Sequence, residues 1–544
     1  MMKQLLLLTL LLAAASSCRT DTVADPYASL RRAAPFSMPS FGAPKFPDTR
    51  VLISTHGGVG DGLTLNTEAF ARAMKTLDGM GGGHLVVPAG IWLTGPIVLH
   101  SNVDLHLEKG AVILFSPDKT LYPIVNTIFE GLDTRRCQSP ISGRNLENVA
   151  ITGEGAIDGN GHVWRPLKRD KVSAAQWQRM TRGGVFKRED YWYPSESYLK
   201  GEQASDMNVP RGPRTDEQWE EIKDFLRPVM VNFIRCKNVY LQGVIFQNSP
   251  AWCLHPLLCE NVIVDAVTVR NPAYAQNGDG IDLESCRNAI IVNSSFDVGD
   301  DGICIKSGKD QEGRLRAAPC ENVLVDNCTV YKGHGGFVVG SEMSGGVRNI
   351  RVSNCKFLGT DVGLRFKSRR GRGGVVENIY AENISMMDIP TEPILFDLFY
   401  GGQSAVEALA SGQKTPDVAA IPPANETTPA FRNIFIKGVR CTNARRAMFF
   451  NGLPEQRIYR VEIEDAVITA RLGAELKNAS RVRLKNITVH AESGAALILH
   501  DCNNVKVADF RGFVSDDTPK ARLSGTLEDV DTGDSFRDDE IDRH

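Results

Sequence analysis

The chain has 544 residues, is 42% hydrophobic and 23% charged, and carries a formal net charge of −3. These are ordinary globular proportions and exclude collagen-like and wholly disordered chains. The near-neutral balance also removes the basic excess typical of nucleic-acid-binding proteins, while leaving room for an acidic ligand held by a few local cations.

Residues 1–18 read MMKQLLLLTLLLAAASSC. One lysine precedes an apolar run and then small residues, the pattern of a secretory signal peptide, too short with these flanks to span a bilayer. Ala15-Ser16-Ser17-Cys18 also resembles a bacterial lipobox, which implies a lipidated Cys18 at the mature N-terminus. The expectation is an exported bacterial protein, periplasmic or held at the outer membrane, with no membrane contact beyond that lipid. Residues 19–48 read as a linker. The stretch 67–77, TEAFARAMKTL, has an amphipathic helical period, with Asn66 or Thr67 available as N-cap.

A phrase then recurs: CKNVYLQGVIF at Cys236, CENVIVDAVTV at Cys259, CRNAIIVNSSF at Cys286 and CENVLVDNCTV at Cys320. It returns at Val347, Val376 and Phe431, with weaker copies near Asn102, Asn148, Tyr459, Ser480 and Asn503. Its asparagines are Asn238, Asn261, Asn288, Asn322, Asn349, Asn378 and Asn433, at steps of 23, 27, 34, 27, 29 and 55 residues. Short alternating β-branched strands on a period in the twenties predict an all-β solenoid, a right-handed parallel β-helix. One such domain is expected over 49–525, with the helix at 67–77 as its N-terminal cap. Asparagine at a fixed corner tolerates left-handed backbone and can form an amide ladder along the stack.

Two segments interrupt the repeat. Residues 164–227 are charged and aromatic, with a helical stretch near 216–225; residues 399–429 are rich in Gly, Ala and Pro and read as a loop. Residues 526–544 form a charged tail expected to fray. Excluding Cys18 leaves 11 cysteines. Cys236, Cys259, Cys286 and Cys320 each precede a repeat Asn by two positions, which suggests stacked buried side chains rather than a disulfide framework. No cysteine pair has zinc-site spacing.

The chemistry concentrates in 277–367, as NGDGID, VGDDGICIKSG, KGHGGFVVGSE and VGLRFKS. Asp279, Asp301, His334 and Arg365 lie 18, 13, 12 and 16 residues past their respective repeat asparagines. Neighbouring strands in a stack are about 4.8 Å apart, so Asp279, Asp300, Asp301, His334, Arg365 and Lys367 fall on one face. Crowded carboxylates with a histidine suit general acid–base chemistry, as in glycoside hydrolysis. Arg365 and Lys367, two apart on a strand, point the same way and can neutralise the cluster or hold an acidic sugar.

These phrases resemble the signatures of glycoside hydrolase family 28, the polygalacturonases: Asn-Thr-Asp, Gly-Asp-Asp, Gly-His-Gly and Arg-Ile-Lys. They stand here as Asn277-Gly278-Asp279, Gly299-Asp300-Asp301, Gly333-His334-Gly335 and Arg365-Phe366-Lys367. The resemblance runs from about Asp61 to Val514. It implies Asp300 as general acid, Asp279 and Asp301 as the pair activating water with inversion, and His334 as support for the acid's protonation. Arg365, Lys367 and Tyr400 would bind the galacturonate, and Asn277 would orient the cluster by hydrogen bonding. A monomeric hydrolase of α-1,4-galacturonan is expected, exo-acting because the 164–227 insertion can block one groove end, with no cofactor or metal.

Other readings stand beside these. A rhamnogalacturonan hydrolase of the same family, a calcium-dependent pectate lyase and a non-catalytic glycan-binding solenoid are the rivals. Asp282 and Asp297 read as turn residues, His255 as structural, and the Asp-Gly clusters lack EF-hand calcium spacing. Arg369, Arg370 and Arg372 are either a solvated face or an extension of an acidic-substrate groove. Trp177, Tyr191, Trp192 and Tyr193 either stack on sugars or pack the insertion.

Overall fold

The computed structural model describes residues 25–206, 208–210, 212–401, 412, 421–515 and 518–543. The leader, Cys18 and most of the 399–429 loop lie outside these residues. No helix among the described residues is long and apolar enough to cross a membrane.

The chain winds as a parallel β-helix. Strands pair in parallel register with the coil before and the coil after, in one large sheet of 34 strands. One column passes through Leu254–Leu257, Ile281–Glu284, Asp301–Lys306, Gly335–Gly340, Leu364–Lys367 and Ile394–Asp397. Its inward rows hold Leu254, Ile281, Ile303, Phe337, Leu364 and Ile394, then Leu283, Ile305, Val339, Phe366 and Phe396, all 0–1% exposed. Each contributes about 1.5–3 kcal/mol by burial. Phe366 and Phe396 stack at 4.6 Å between ring centroids. The alternate residues of these strands face outward and include Asp282, Lys306, Arg365 and Lys367.

The corners are set by asparagine. Asn102, Asn148, Asn238, Asn261, Asn288, Asn322, Asn349, Asn378 and Asn433 all have left-handed backbone. Each side-chain amide after the first donates to the Oδ1 of the preceding one, at 2.8–3.3 Å. The repeat cysteines stack inside: the Cys236 amide donates to Cys259 Sγ and the Cys259 amide to Cys286 Sγ, both at 3.4 Å. The 11 described cysteines are buried thiols.

The helix Thr67–Gly79 buries Ala69, Phe70, Ala73, Met74 and Leu77 over the first coil. Asn66 occupies the N-cap position, without a side-chain bond to the helix's first turn. The Asn66 amide instead donates to Val59 O, Thr64 O and Leu93 O, and Thr67 Oγ1 accepts from Gly95 N, so both tie the helix to the coil beneath. Two further expectations change. The described part of the 19–48 linker is a strap: Tyr27 packs on Ile263, Ile290 and Leu324 and donates its hydroxyl to Asp265. The C-terminal tail adds strands Glu528–Asp531 and Ile541–Arg543 to the stack, with Phe536 buried against Phe510.

Within residues 164–227 the aromatics pack on one another. Trp164, Tyr191, Tyr193, Tyr198, Trp219 and Phe225 form one apolar cluster, and Leu167, Trp177 and Trp192 a second. The helix Asp216–Glu220 opens with a Thr215/Gln218 capping box and is followed by a short 3-10 turn, Lys223–Phe225.

Candidate active site

Register gathers the site. Asp301 pairs with Gly335, and Gly280 N donates to Asp301 O at 2.9 Å, so Asp279 and Asp301 lie on adjoining coils at one level. One residue upstream, His334 N donates to Asp300 O at 2.9 Å and Asp361 N to Gly333 O at 2.8 Å. Asp300, His334 and Asp361 therefore form a second, parallel column. A Cβ on Gly280 would lie 2.4 Å from Gly302 O and one on Gly302 2.5 Å from Val330, which explains the glycine after each of Asp279 and Asp301.

Asp301 is 1% exposed and sits between two cations, Lys367 Nζ at 2.7 Å and Arg365 Nη1 at 3.4 Å. Tyr400 covers both, its ring centre 5.0 Å from Lys367 Nζ and 5.5 Å from the Arg365 guanidinium. His334 Nδ1 meets Asp300 Oδ1 at 3.1 Å, and His334 Nε2 lies 3.9 Å from Asp361. Asp279 is buried, and its Oδ1 has no hydrogen-bond partner among the described residues.

These surroundings separate the carboxyls. Burial, with Asp282, Asp300 and Asp301 nearby, pushes Asp279 well above the usual carboxylate range. Burial also raises Asp300, but the charge and hydrogen bond of His334, with Lys367 and Lys306, outweigh it and hold Asp300 below that range. His334 is lowered by burial and raised more by Asp300 and Asp361, for a net rise. Asp279 and His334 thus hold a proton more tightly than the free side chains do, and Asp300 less tightly.

The residues line a cavity of about 430 Å³ whose walls also carry Lys168, Lys171, Trp252, Lys306, Glu342 and Glu130. Five basic side chains face five carboxyls there. The upward shifts of Asp279 and His334 both move that balance toward positive charge. Ligand oxygens of Asp279, Asp300 and Asp301 all lie within 4.8 Å of one another, close enough to share a cation. Both oxygens of Asp301 already face Lys367 and Arg365, however, leaving an ion two carboxylates.

Residues 218–421 match the model for glycosyl hydrolases family 28. An exopolygalacturonase from Thermotoga maritima of known structure is 33% identical, with a TM-score of 0.62 over 79% of this chain and 88% of its own. The chain belongs to glycosyl hydrolase family 28. It is also similar to a probable polygalacturonase from Vitis vinifera, 32% identical over 61% of this chain, and to an exo-poly-alpha-D-galacturonosidase from Dickeya chrysanthemi, 28% identical over 64% of it. It spans 59% and 57% of those two relatives' lengths.

Within this family 28 chain some sequence assignments shift. Asn277 is tied to the insertion: its Oδ1 accepts from Arg227 Nη2 at 2.7 Å, and Arg227 Nη1 donates to Gln276 O at 2.9 Å. Arg227, 1% exposed, clamps the loop that carries Asp279. Asp282 is no turn residue; it lies inside the strand Ile281–Glu284, fully buried, outward in the row that leads to Arg365. Asp297 ends the strand Ser295–Asp297. His255 is structural, its Nε2 2.9 Å from Glu284. Arg370 forms a two-pronged pair with Glu455 and Arg372 pairs with Asp310, so neither is merely solvated.

Lys306 and Glu342 escaped the sequence reading. Lys306 Nζ lies 2.8 Å from Glu342, 3.6 Å from Asp282 and 4.8 Å from the centre of the Trp252 ring. The available signal was strand alternation: Lys306 occupies the outward row that reaches Lys367 two coils later.

Proposed function

We propose that this chain hydrolyses α-1,4-linked galacturonan, removing units from a chain end by an inverting acid–base mechanism. The supporting observation is the Asp301 carboxylate held between Lys367 and Arg365, beside the Asp300–His334 pair, in a pocket whose balance turns positive. A uronate carboxylate is drawn to that pocket, and the guanidinium offers a planar fork for it.

The roles follow from the protonation pattern. Asp300 accepts a proton from the adjacent His334 as the acidic sugar adds negative charge, then donates it to the glycosidic oxygen. Asp301, held between Lys367 and Arg365, takes a proton from the attacking water on the opposite face, and Asp279 helps hold that water. Acid and base on opposite faces of the sugar give inversion. Pro166, Lys168 and Lys171 of the insertion line the same pocket, which supports closure at one end and attack from a terminus. Export with lipidation at Cys18, and a monomer, complete the reading.

A time course of product sizes from polygalacturonate tests it. Monomer or dimer alone is expected. A ladder of intermediate oligomers would reject the exo reading, and activity confined to rhamnogalacturonan would reject the substrate.

A further inference from the structure

A second cavity, of about 310 Å³, adjoins the first. Pro166 and Tyr274 line both, so the two spaces share a wall. The second is bounded by His162, Arg165, Arg179, Met180, Trp192 and Tyr274, a basic rim over an aromatic floor. Arg165 is 2% exposed. Its Nε donates to Ser249 O at 2.9 Å and its Nη2 to the same oxygen, while its Nη1 has no partner among the described residues. A buried guanidinium nitrogen without an acceptor costs free energy unless something supplies one. Trp192 already donates its ring nitrogen to Gly183 O, which fixes it as a flat wall.

We infer that this cavity is a second acidic-sugar subsite, in which Arg165 Nη1 and Arg179 hold the carboxylate of a uronate whose ring lies against Trp192 and Tyr274. The inference rests on the galacturonan reading and adds to it: the insertion receives a sugar further along the substrate as well as narrowing the groove. The cavity is built by His162, the insertion and the Tyr274 loop, outside the Asp, His, Arg and Lys set of the family signatures.

Two readouts test it. The first is the preference for tetragalacturonide over digalacturonide, taken as the ratio of kcat/KM values. It is expected to fall about tenfold in Arg165→Met, mainly through KM, the effect of one charge-assisted hydrogen bond. Arg179→Ala, at an exposed position, is expected to lower the ratio about threefold. Equal losses on both lengths, or an unchanged ratio in Arg179→Ala, would overturn the subsite. The second readout needs no cleavage. In the Asp300→Asn protein, titration with tetragalacturonate should change tryptophan fluorescence saturably, the change should be lost on adding Trp192→Phe, and Kd should weaken about tenfold on adding Arg165→Met. Binding intact without polygalacturonate cleavage by the unsubstituted protein would sink the hydrolase reading alone; cleavage with binding unaltered by Arg165→Met would sink the subsite alone.

Discussion

The coils from Leu254 to Asp397 and those from Ala430 to Phe513 share one interior and present different outer faces. Both fill the core with aliphatic and aromatic rows. On the later coils the same outward rows reach Glu475 and Lys477, which pair at 2.7 Å with side chains 21–35% exposed. On the earlier coils equivalent outward positions carry Lys306, Lys367, Asp282 and Glu284, and the pairs Lys367–Asp301 and Lys306–Glu342 are 2–7% exposed. The difference comes from the walls. The insertion, Trp252 and Tyr400 stand over the earlier coils and remove water from them. Exposed pairs are worth little; buried ones are costly to break and shift the protonation of their neighbours.

That contrast is open to attack at several strengths. Asp300→Asn should cut turnover by about 10²–10⁴ while thermal unfolding stays near the native temperature; full activity would remove Asp300 from the chemistry. Lys306→Met leaves Glu342 and Asp282 buried without their cation and should cost about 3–5 kcal/mol, read by denaturant unfolding. The matched change Lys477→Met, in the same row on the later coils, should leave stability unchanged. A similar loss for both would erase the distinction between the two faces.

The pH dependence sharpens it. His334 is raised above its ordinary value of about 6.5, so protonation favours the fold. That stabilisation is complete below about 6.5 and is lost as pH rises through the raised value. Activity should fall over the same window as His334 ceases to supply Asp300, and His334→Asn should abolish that step in both the kcat/KM profile and the unfolding temperature. A smaller effect tests the shared scaffold. Asn261→Ala removes two ladder bonds at a left-handed corner and should cost about 2–3 kcal/mol, measured by denaturant unfolding, with kcat preserved.

What was legible in the sequence follows period. A fixed Asn every coil announced the ladder, and Arg365-Phe366-Lys367 announced its alternation, with Phe366 inward and both cations outward. The carboxylates were legible because adjoining coils repeat the same phase. Contacts set by tertiary closure were not: Arg227 reaches Asn277 across 50 residues, and no local pattern marks it. Asp282 looked like a turn residue beside Gly280, although its strand position follows once the register is known. The strap through Tyr27 and the closing Phe536 were obscured by polar neighbours, because a few apolar anchors decide packing where the overall composition reads as solvent-exposed.

The most direct test is a proton NMR time course of polygalacturonate digestion, which reads bond cleavage and product stereochemistry together. Water attacking opposite the α-linkage predicts that saturated β-galacturonate appears first and converts to the α-anomer afterwards. Initial release of the α-anomer, or the vinyl signal of an unsaturated uronate dependent on calcium, would contradict the assignment of Asp300 and Asp301 as acid and base.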